Sequence, residues 1–177
     1  MADLDRSNVR LSLPRGWEGE IVDRRATAPL PLAGATTGAA SSDGSGSSAT
    51  QFAPAAGPTT LATVHVANFP LPPARGDYGS GAVEAMGFDG VFIALLEFAP
   101  DSLSSALFSH EGVPRPLDPA LFSPRQLQRP QRNQAGLQTF FTATGRPFCL
   151  YVVIGNYLQR EGLVAQANAL LDGLQIG

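Results

Sequence analysis

Residues 135–176, AGLQTFFTATGRPFCLYVVIGNYLQREGLVAQANALLDGLQI, decide the fold that this chain is expected to adopt. Residues 137–144 and 147–154 are rich in β-branched and aromatic side chains, which favour strands, and Gly145-Arg146 separates them as a hairpin turn does. Beyond this pair the apolar positions follow a helical period and fall on one face: Leu163, Ala167, Leu170, Leu171 and Leu174. The stretch therefore predicts two strands, an amphipathic helix and a short closing strand.

Four further segments have the composition of strands. Val9–Leu13 and Trp17–Arg24 alternate between apolar and polar residues on either side of a turn at 14–16, which predicts an N-terminal hairpin. Thr60–Phe69 alternates in the same way and is followed by prolines. Gly90–Phe98, GVFIALLEF, is the most apolar run of the chain and is typical of a central strand that is covered on both faces.

Together these segments predict an α+β fold. We expect a mostly antiparallel sheet of about five to seven strands, flanked by helices, with the C-terminal helix packed on the sheet. Residues 34–59 are of low complexity, dominated by Gly, Ala, Ser and Thr, and only Phe52 is a large apolar residue. Because closing a loop of ~30 residues costs only ~3 kcal/mol, we predict one domain over residues 1–177 with an insertion at 34–59.

Composition argues against several classes of function. The formal net charge is −3, so no general attraction to nucleic acid or to an anionic membrane is expected. All twelve basic residues are arginines, and the absence of lysine excludes Schiff-base chemistry, a P-loop and a Ser/Lys dyad. No stretch of the sequence approaches the ~18 apolar residues of a membrane helix. We therefore expect neither a nucleic acid nor a membrane as partner.

Cysteine content and the N-terminal sequence favour a cytoplasmic protein. Cys149 is the only cysteine, so the chain cannot form an internal disulfide or a Cys-rich zinc site. The first ten residues, MADLDRSNVR, include acidic side chains and no apolar run, which is unlike a signal peptide. A cytoplasmic location is the resulting expectation.

Residues with catalytic or metal-binding potential are few, and packing explains them better. His65 lies within an apolar strand and His110 in a loop, without the HExxH or HxH spacing of metal ligands. Cys149 lies in the apolar run FCLY, where a small buried side chain is the ordinary outcome. The sequence therefore predicts no catalytic residue, no cofactor and no metal ligand, and it favours a protein that is not an enzyme.

The glycine-rich segment 75–87, RGDYGSGAVEAMG, supports an alternative hypothesis. Backbone amides before a helix can bind anions, but the glycine spacing matches neither GxGxxG nor GxxxxGK, which favours a tight turn. Ser80 is placed to cap a short helix, and a strand is the competing interpretation. A pocket near Asp77, Tyr78 and Glu84 would make the chain a small-molecule-binding protein or an enzyme.

The leading hypothesis is a non-catalytic protein-interaction or assembly module. Residues 99–134 form a long connection broken by prolines, and such connections are either functional or lie over the surface. Guanidinium groups suit a carboxylate, a phosphate or an acidic partner, and this connection carries Arg115, Arg125, Arg129 and Arg132. We predict a protein partner, either a second copy of this chain or another chain.

The two ends of the chain resemble a known family. Residues 13–17, LPRGW, together with the terminal strand, the helix at 163–171 and the closing residues 174–176, resemble the small α/β/α sandwich proteins of the PsbP and Mog1 type. The chain as a whole is also similar to small α+β proteins of high-GC actinobacteria. The resemblance implies an antiparallel sheet flanked by helices, in a superfamily whose members mostly bind partners. It assigns no functional residue.

Overall fold

A computed structural model describes residues 2–24 and 60–177 of the chain, and the insertion predicted at 34–59 lies outside the described residues. Within those residues the fold is α+β, with two antiparallel sheets. The strands are β1 (Ala2–Arg6), β2 (Val9–Leu13), β3 (Glu18–Asp23), β4 (Thr60–Ala67), β5 (Val91–Phe98), β6 (Ala135–Ala143), β7 (Arg146–Ile154) and β8 (Gln175–Ile176), and the helices are α1 (Ala82–Ala85) and α2 (Arg160–Leu171).

The larger sheet has five strands in the order β3-β4-β5-β7-β6. Its central strand, β5, is buried along its whole length, as the apolar run Gly90–Phe98 predicts. β6 and β7 form the predicted hairpin, in continuous register from Ala135 opposite Ile154 to Ala143 opposite Arg146. The turn is one residue earlier than expected, at Thr144-Gly145, and both residues have the positive φ angles (48° and 72°) that suit a two-residue hairpin turn.

The smaller sheet has three strands in the order β1-β2-β8, and it shows that the predicted N-terminal hairpin is wrong. β2 pairs with β1 and β8, whereas β3 pairs with β4 in the larger sheet. The turn after Pro14, whose carbonyl accepts a hydrogen bond from the amide of Trp17, carries the chain from one sheet to the other. Alternation identified both strands correctly, but it does not specify the partner of a strand.

One face of the larger sheet is covered by the smaller sheet and α2. Their apolar side chains meet in one core with the side chains that β4, β5, β6 and β7 direct to this side. α2 contributes the predicted apolar face, since five of its residues are buried: Leu163, Val164, Ala167, Leu170 and Leu171. The C-terminal helix therefore packs on the sheet, as predicted.

The other face of the larger sheet is covered by short elements, which form a second core with it. α1 lies here, and Gly81 rather than Ser80 is its N-cap residue, so the helical interpretation was right and the cap was wrong. The chain also forms 3₁₀ helices at Pro100–Ser104, Ala106–Phe108, Pro119–Leu121 and Pro124–Gln126, and the third of these lies beside α2 on the first face. In the third of these the side chain of Asp118 accepts the amide of Ala120 (2.8 Å).

A buried ion pair joins the two layers, and sequence reasoning missed it because Arg146 was interpreted as part of a turn. Arg146 donates to both carboxylate oxygens of Glu97 on β5 (3.0 and 2.7 Å), and the Glu97 side chain is only 4% exposed. Arg146 also donates to the carbonyls of Ser7 (2.9 Å) and Gly177 (3.0 Å). One side chain thus links β7 with β5, with the β1–β2 turn and with the residue after β8.

Candidate functional site

Arg115, the first of the predicted partner-binding arginines, is hydrogen-bonded to the backbone of its own chain. Its Nη1 donates to the carbonyls of Leu171 (2.6 Å) and Leu174 (3.2 Å) at the end of α2. Carbonyls at a helix C-terminus lack partners within the helix and carry partial negative charge, so a guanidinium group stabilises them. Arg115 therefore fastens its own segment to α2.

Arg129 does not join Arg115 on a common surface. Nη1 of Arg129 lies 3.8 Å from Oε1 of Glu84, on α1, which covers the opposite face of the larger sheet from α2. Arg125 and Arg132 are exposed. The sequence grouped these residues because they are close along the chain, but the chain crosses from one face of the sheet to the other between them.

Asp77, Tyr78 and Glu84 do come together, in a cavity of about 280 Å³ that we call the tyrosine cavity. The remaining lining residues are Ser80, Val83, Gln128, Arg129 and Tyr151. A tight turn positions the first two residues, because the amide of Gly79 donates to the carbonyl of Gly76 (2.8 Å). Glu84 is held by the amide of Gly81, which donates to Oε2 (2.5 Å).

The two tyrosines of this cavity are poor candidates for acid–base chemistry. Tyr78 and Tyr151 pack edge to face with ring centroids 5.6 Å apart, and the Tyr151 hydroxyl accepts the amide of Gln128 (3.1 Å). Burial raises the pKa of Tyr78 to about 12 and that of the neighbouring Cys149, to which Tyr78 is hydrogen-bonded, to about 11. Both groups are therefore protonated near neutral pH, which makes them unsuited as bases or nucleophiles.

A network of charged residues lies beside the tyrosine cavity and holds the 72–78 segment on the sheet. Nε2 of His65 donates to the carbonyl of Asp77 (2.7 Å), so Nδ1 is free to accept from Nε of Arg75 (3.0 Å). Burial lowers the pKa of His65, which favours this neutral form. Arg75 also pairs with Glu20, and Arg24 pairs with Asp77. Each charge has an opposite partner, so the network has a structural role.

The outer edge of β6 is open over its centre. Gly136 exchanges both backbone hydrogen bonds with Ser123 (2.9 and 3.0 Å), and Thr142 bonds to His110 (2.7 Å) and Gly112 (2.8 Å), all on the side away from β7. Because the bonding direction alternates along a strand, the N–H and C=O groups of 138 and 140 point to the same side. Within residues 2–24 and 60–177 no group bonds to them there.

A depression of about 670 Å³, which we call the edge groove, runs along this open stretch. Its lining includes Leu137, Gln138 and Thr139 of β6 and, opposite them, the segment that leaves the edge after Gly112 and returns at Ser123. That segment supplies an apolar wall, which consists of Val113, Pro114, Pro116, Leu117 and Leu121. Leu121 is 58% exposed, so a large apolar side chain stands uncovered at the groove.

Sequence reasoning missed the edge groove, although one signal was present. Residues 137–141, LQTFF, contain no charge and no proline, whereas sheet edges that face solvent are usually protected by one of these. The pattern alone does not tell whether a strand lies at the edge or in the middle of a sheet. Only the strand order, which places β6 last, gives the signal its meaning.

Residues 2–24 and 60–177 contain neither a metal-binding cluster nor a membrane-spanning helix. In these ranges no three or more His, Cys, Asp or Glu side chains are grouped so that they hold a metal ion. No helix of the described ranges has both the length and the apolar character needed to cross a bilayer.

The chain matches no protein-family model. It likewise matches no curated protein sequence and no solved structure. The resemblance to PsbP and Mog1 therefore stays a prediction, which rests on LPRGW at 13–17 and on the C-terminal unit.

Proposed function

We propose that the chain is a non-catalytic interaction module that binds a short extended segment of a partner protein along the open edge of β6. The observation that carries this proposal is the set of backbone groups at Gln138 and Phe140 that no residue of 2–24 or 60–177 pairs on this side, between two ends that are already paired. Unpaired edges with apolar sequences favour addition of another strand, and monomeric proteins usually avoid them.

The chemistry of the edge selects an extended backbone as ligand. The N–H and C=O groups of residues 138 and 140 repeat every two residues, which is a spacing of about 7 Å. Another extended chain presents acceptors and donors at the same spacing, and small molecules rarely do. In strand addition the main-chain hydrogen bonds give affinity and pockets for alternate side chains give specificity.

The edge groove provides such a side-chain pocket. Side chains of an added strand alternate between the two faces of the sheet, so every second one points to the side of Leu137 and Thr139. On that side it meets the apolar wall at Val113, Leu117 and Leu121. An aliphatic or aromatic side chain of the partner is therefore expected there.

A second copy of the chain fits the edge poorly. Ser123 occupies the edge beside Gly136, and His110–Gly112 occupy it beside Thr142. If β6 paired antiparallel with β6 of another copy, each strand would run into these occupied positions at both ends. A short segment that turns away at both ends avoids this conflict, which favours a different protein as partner.

The expected affinity is modest. Four backbone hydrogen bonds contribute about 1 kcal/mol each, and one buried aliphatic side chain contributes about 2 kcal/mol. The sum of about 6 kcal/mol corresponds to a Kd of roughly tens of micromolar, and ordering of a flexible segment weakens it further.

The test is selection of peptides on the full chain from a random displayed library, followed by titration of the selected peptides. We expect apolar residues at alternate positions, and binding that is weakened about fivefold by Gln138→Pro, which removes an edge donor. The N–H of residue 138 is not used in the pairing with β7, so this variant keeps the sheet.

Gln138→Ala is the matched control, because it removes the same side chain and keeps the N–H; it should bind almost as well as the native chain. Methylating the peptide nitrogens that point toward β6 should abolish binding. Methylating the intervening nitrogens, which point away from β6, should leave binding unchanged. Equal binding of the proline and alanine variants, or self-association of the chain without any selected peptide, would show that the proposal is wrong.

A second candidate function is small-molecule binding in the tyrosine cavity. Two carboxylates, Asp77 and Glu84, converge there with two aromatic rings, and a small organic cation would share these carboxylates with Arg24 and Arg129. The test is a thermal-shift screen with amines and a matched set of carboxylic acids. Stabilisation by an amine that Tyr78→Ala abolishes would support it, and a silent amine set would refute it.

A further inference from the structure

One carboxylate at the end of the edge groove has no partner among the residues that the structure describes. Four titratable residues line the groove, namely His110, Glu111, Arg115 and Asp118. Arg115 donates to carbonyls at the end of α2, and Asp118 accepts the amide of Ala120. The Glu111 carboxylate forms no hydrogen bond and no ion pair with any residue that the structure describes.

Glu111 also lies where a bound segment has to leave the groove. Beyond the open stretch of β6 the edge beside Thr142 is occupied by His110–Gly112, so the segment cannot continue along the strand. A second depression, of about 570 Å³, begins there and is lined by the β6–β7 turn and by the residues around β8. Glu111, Val113 and Arg115 line both depressions. A segment that passes from one to the other therefore passes Glu111.

We infer that the partner segment carries a Lys or Arg residue next to its apolar stretch, on the side where it leaves the groove, and that this residue pairs with Glu111. The inference rests on the proposed strand addition and specifies the chemistry of the partner. It reverses the charge expected from the arginines of residues 99–134, because Arg115 is already engaged and Glu111 is not. A cation supplies a counter-charge to Glu111, whereas an acidic residue there is repelled.

The experiment compares peptide selection on the native chain and on Glu111→Lys, with a library of random peptides of about ten residues. The native chain should enrich Lys or Arg at one position flanking the apolar stretch, and the variant should enrich Asp or Glu at the same position. For a peptide selected on the native chain, Glu111→Gln should weaken binding about two- to fivefold, the usual worth of an exposed ion pair, and added salt should reduce the difference.

Asp101→Lys is the control for a general charge effect, since Asp101 is exposed and lies outside the groove; it should leave the selected residues unchanged. If the native chain selects no peptide above the level of Gln138→Pro, the proposed function and this inference both fail. If peptides are selected through the edge but show no basic residue, or the same residues on Glu111→Lys, only the inference fails.

Discussion

β6 and β7 leave the same turn and are similarly apolar, yet their surroundings differ. Residues 147–154 of β7 are all buried, whereas residues 138–140 of β6 are partly exposed. β7 pairs with β5 on one side and β6 on the other, whereas among residues 2–24 and 60–177 β6 has a second neighbour only at its two ends. The position of each strand in the sheet, rather than its composition, therefore makes β7 stable and leaves β6 with an accessible edge.

The largest expected effect tests that difference with matched leucines. Leu150→Ala in β7 should lower the free energy of unfolding by about 4 kcal/mol, because Leu150 is fully buried and its truncation leaves a cavity inside the core. Leu137 in β6 borders the edge groove, so Leu137→Ala should lower the free energy of unfolding by only about 2 kcal/mol, at the lower end of the usual range for Leu→Ala. Urea denaturation of both variants measures the difference, and equal losses would contradict the assignment.

A similar but somewhat smaller loss is expected at the start of β7. Arg146→Met should cost about 3 kcal/mol, because it removes the cation that donates to both oxygens of the buried Glu97 carboxylate and to the carbonyls of Ser7 and Gly177. Arg10→Met is the control: its ion pair with Asp5 is exposed and should contribute less than about 1 kcal/mol. If both variants unfold at the same urea concentration, Arg146 does not join the layers as inferred.

The smallest expected effect is a difference in how readily a thiol reagent reaches β6 and β7. Cys149 in β7 is completely buried, and burial raises its pKa to about 11, so at about pH 8 only one thiol in roughly a thousand is ionised. A thiol reagent should label it only after unfolding. In a Cys149→Ala background, Thr139→Cys places a thiol in the exposed part of β6, and the reagent should label this thiol within minutes. Rapid labelling of native Cys149 would show that β7 opens readily.

Much of the fold was predictable, because local periodicity marks strands and helices wherever burial is regular. β5, the β6–β7 hairpin and α2 are such segments. β1 escaped because the alternation in ADLDR spans only two apolar residues, which is too short to predict a strand, and the strand forms through pairing with β2. The pairing of β2 and β3 was predicted wrongly for another reason. β2 pairs with β8 and β3 with β4, and these partners lie far away along the chain.

The candidate sites were predictable only in part. Asp77, Tyr78 and Glu84 lie within one glycine-rich segment, so proximity in sequence indicated proximity in space. The arginines of residues 99–134 were equally close in sequence, but their segment wraps around the edge of the sheet and separates them. The edge groove itself depends on strand order, which no local pattern contains.

The layer of β1, β2, β8 and α2 has a consequence for how the chain folds during its synthesis. Val9 pairs with Ile176, so this layer combines an early segment with a very late one. Until the residues of α2 and β8 leave the ribosome, the apolar side chains of β5 and β7 that face this layer stay uncovered. Folding of this layer should therefore wait until residues 160–176 are synthesised and should be slow, with apolar surface exposed to chaperones in the meantime.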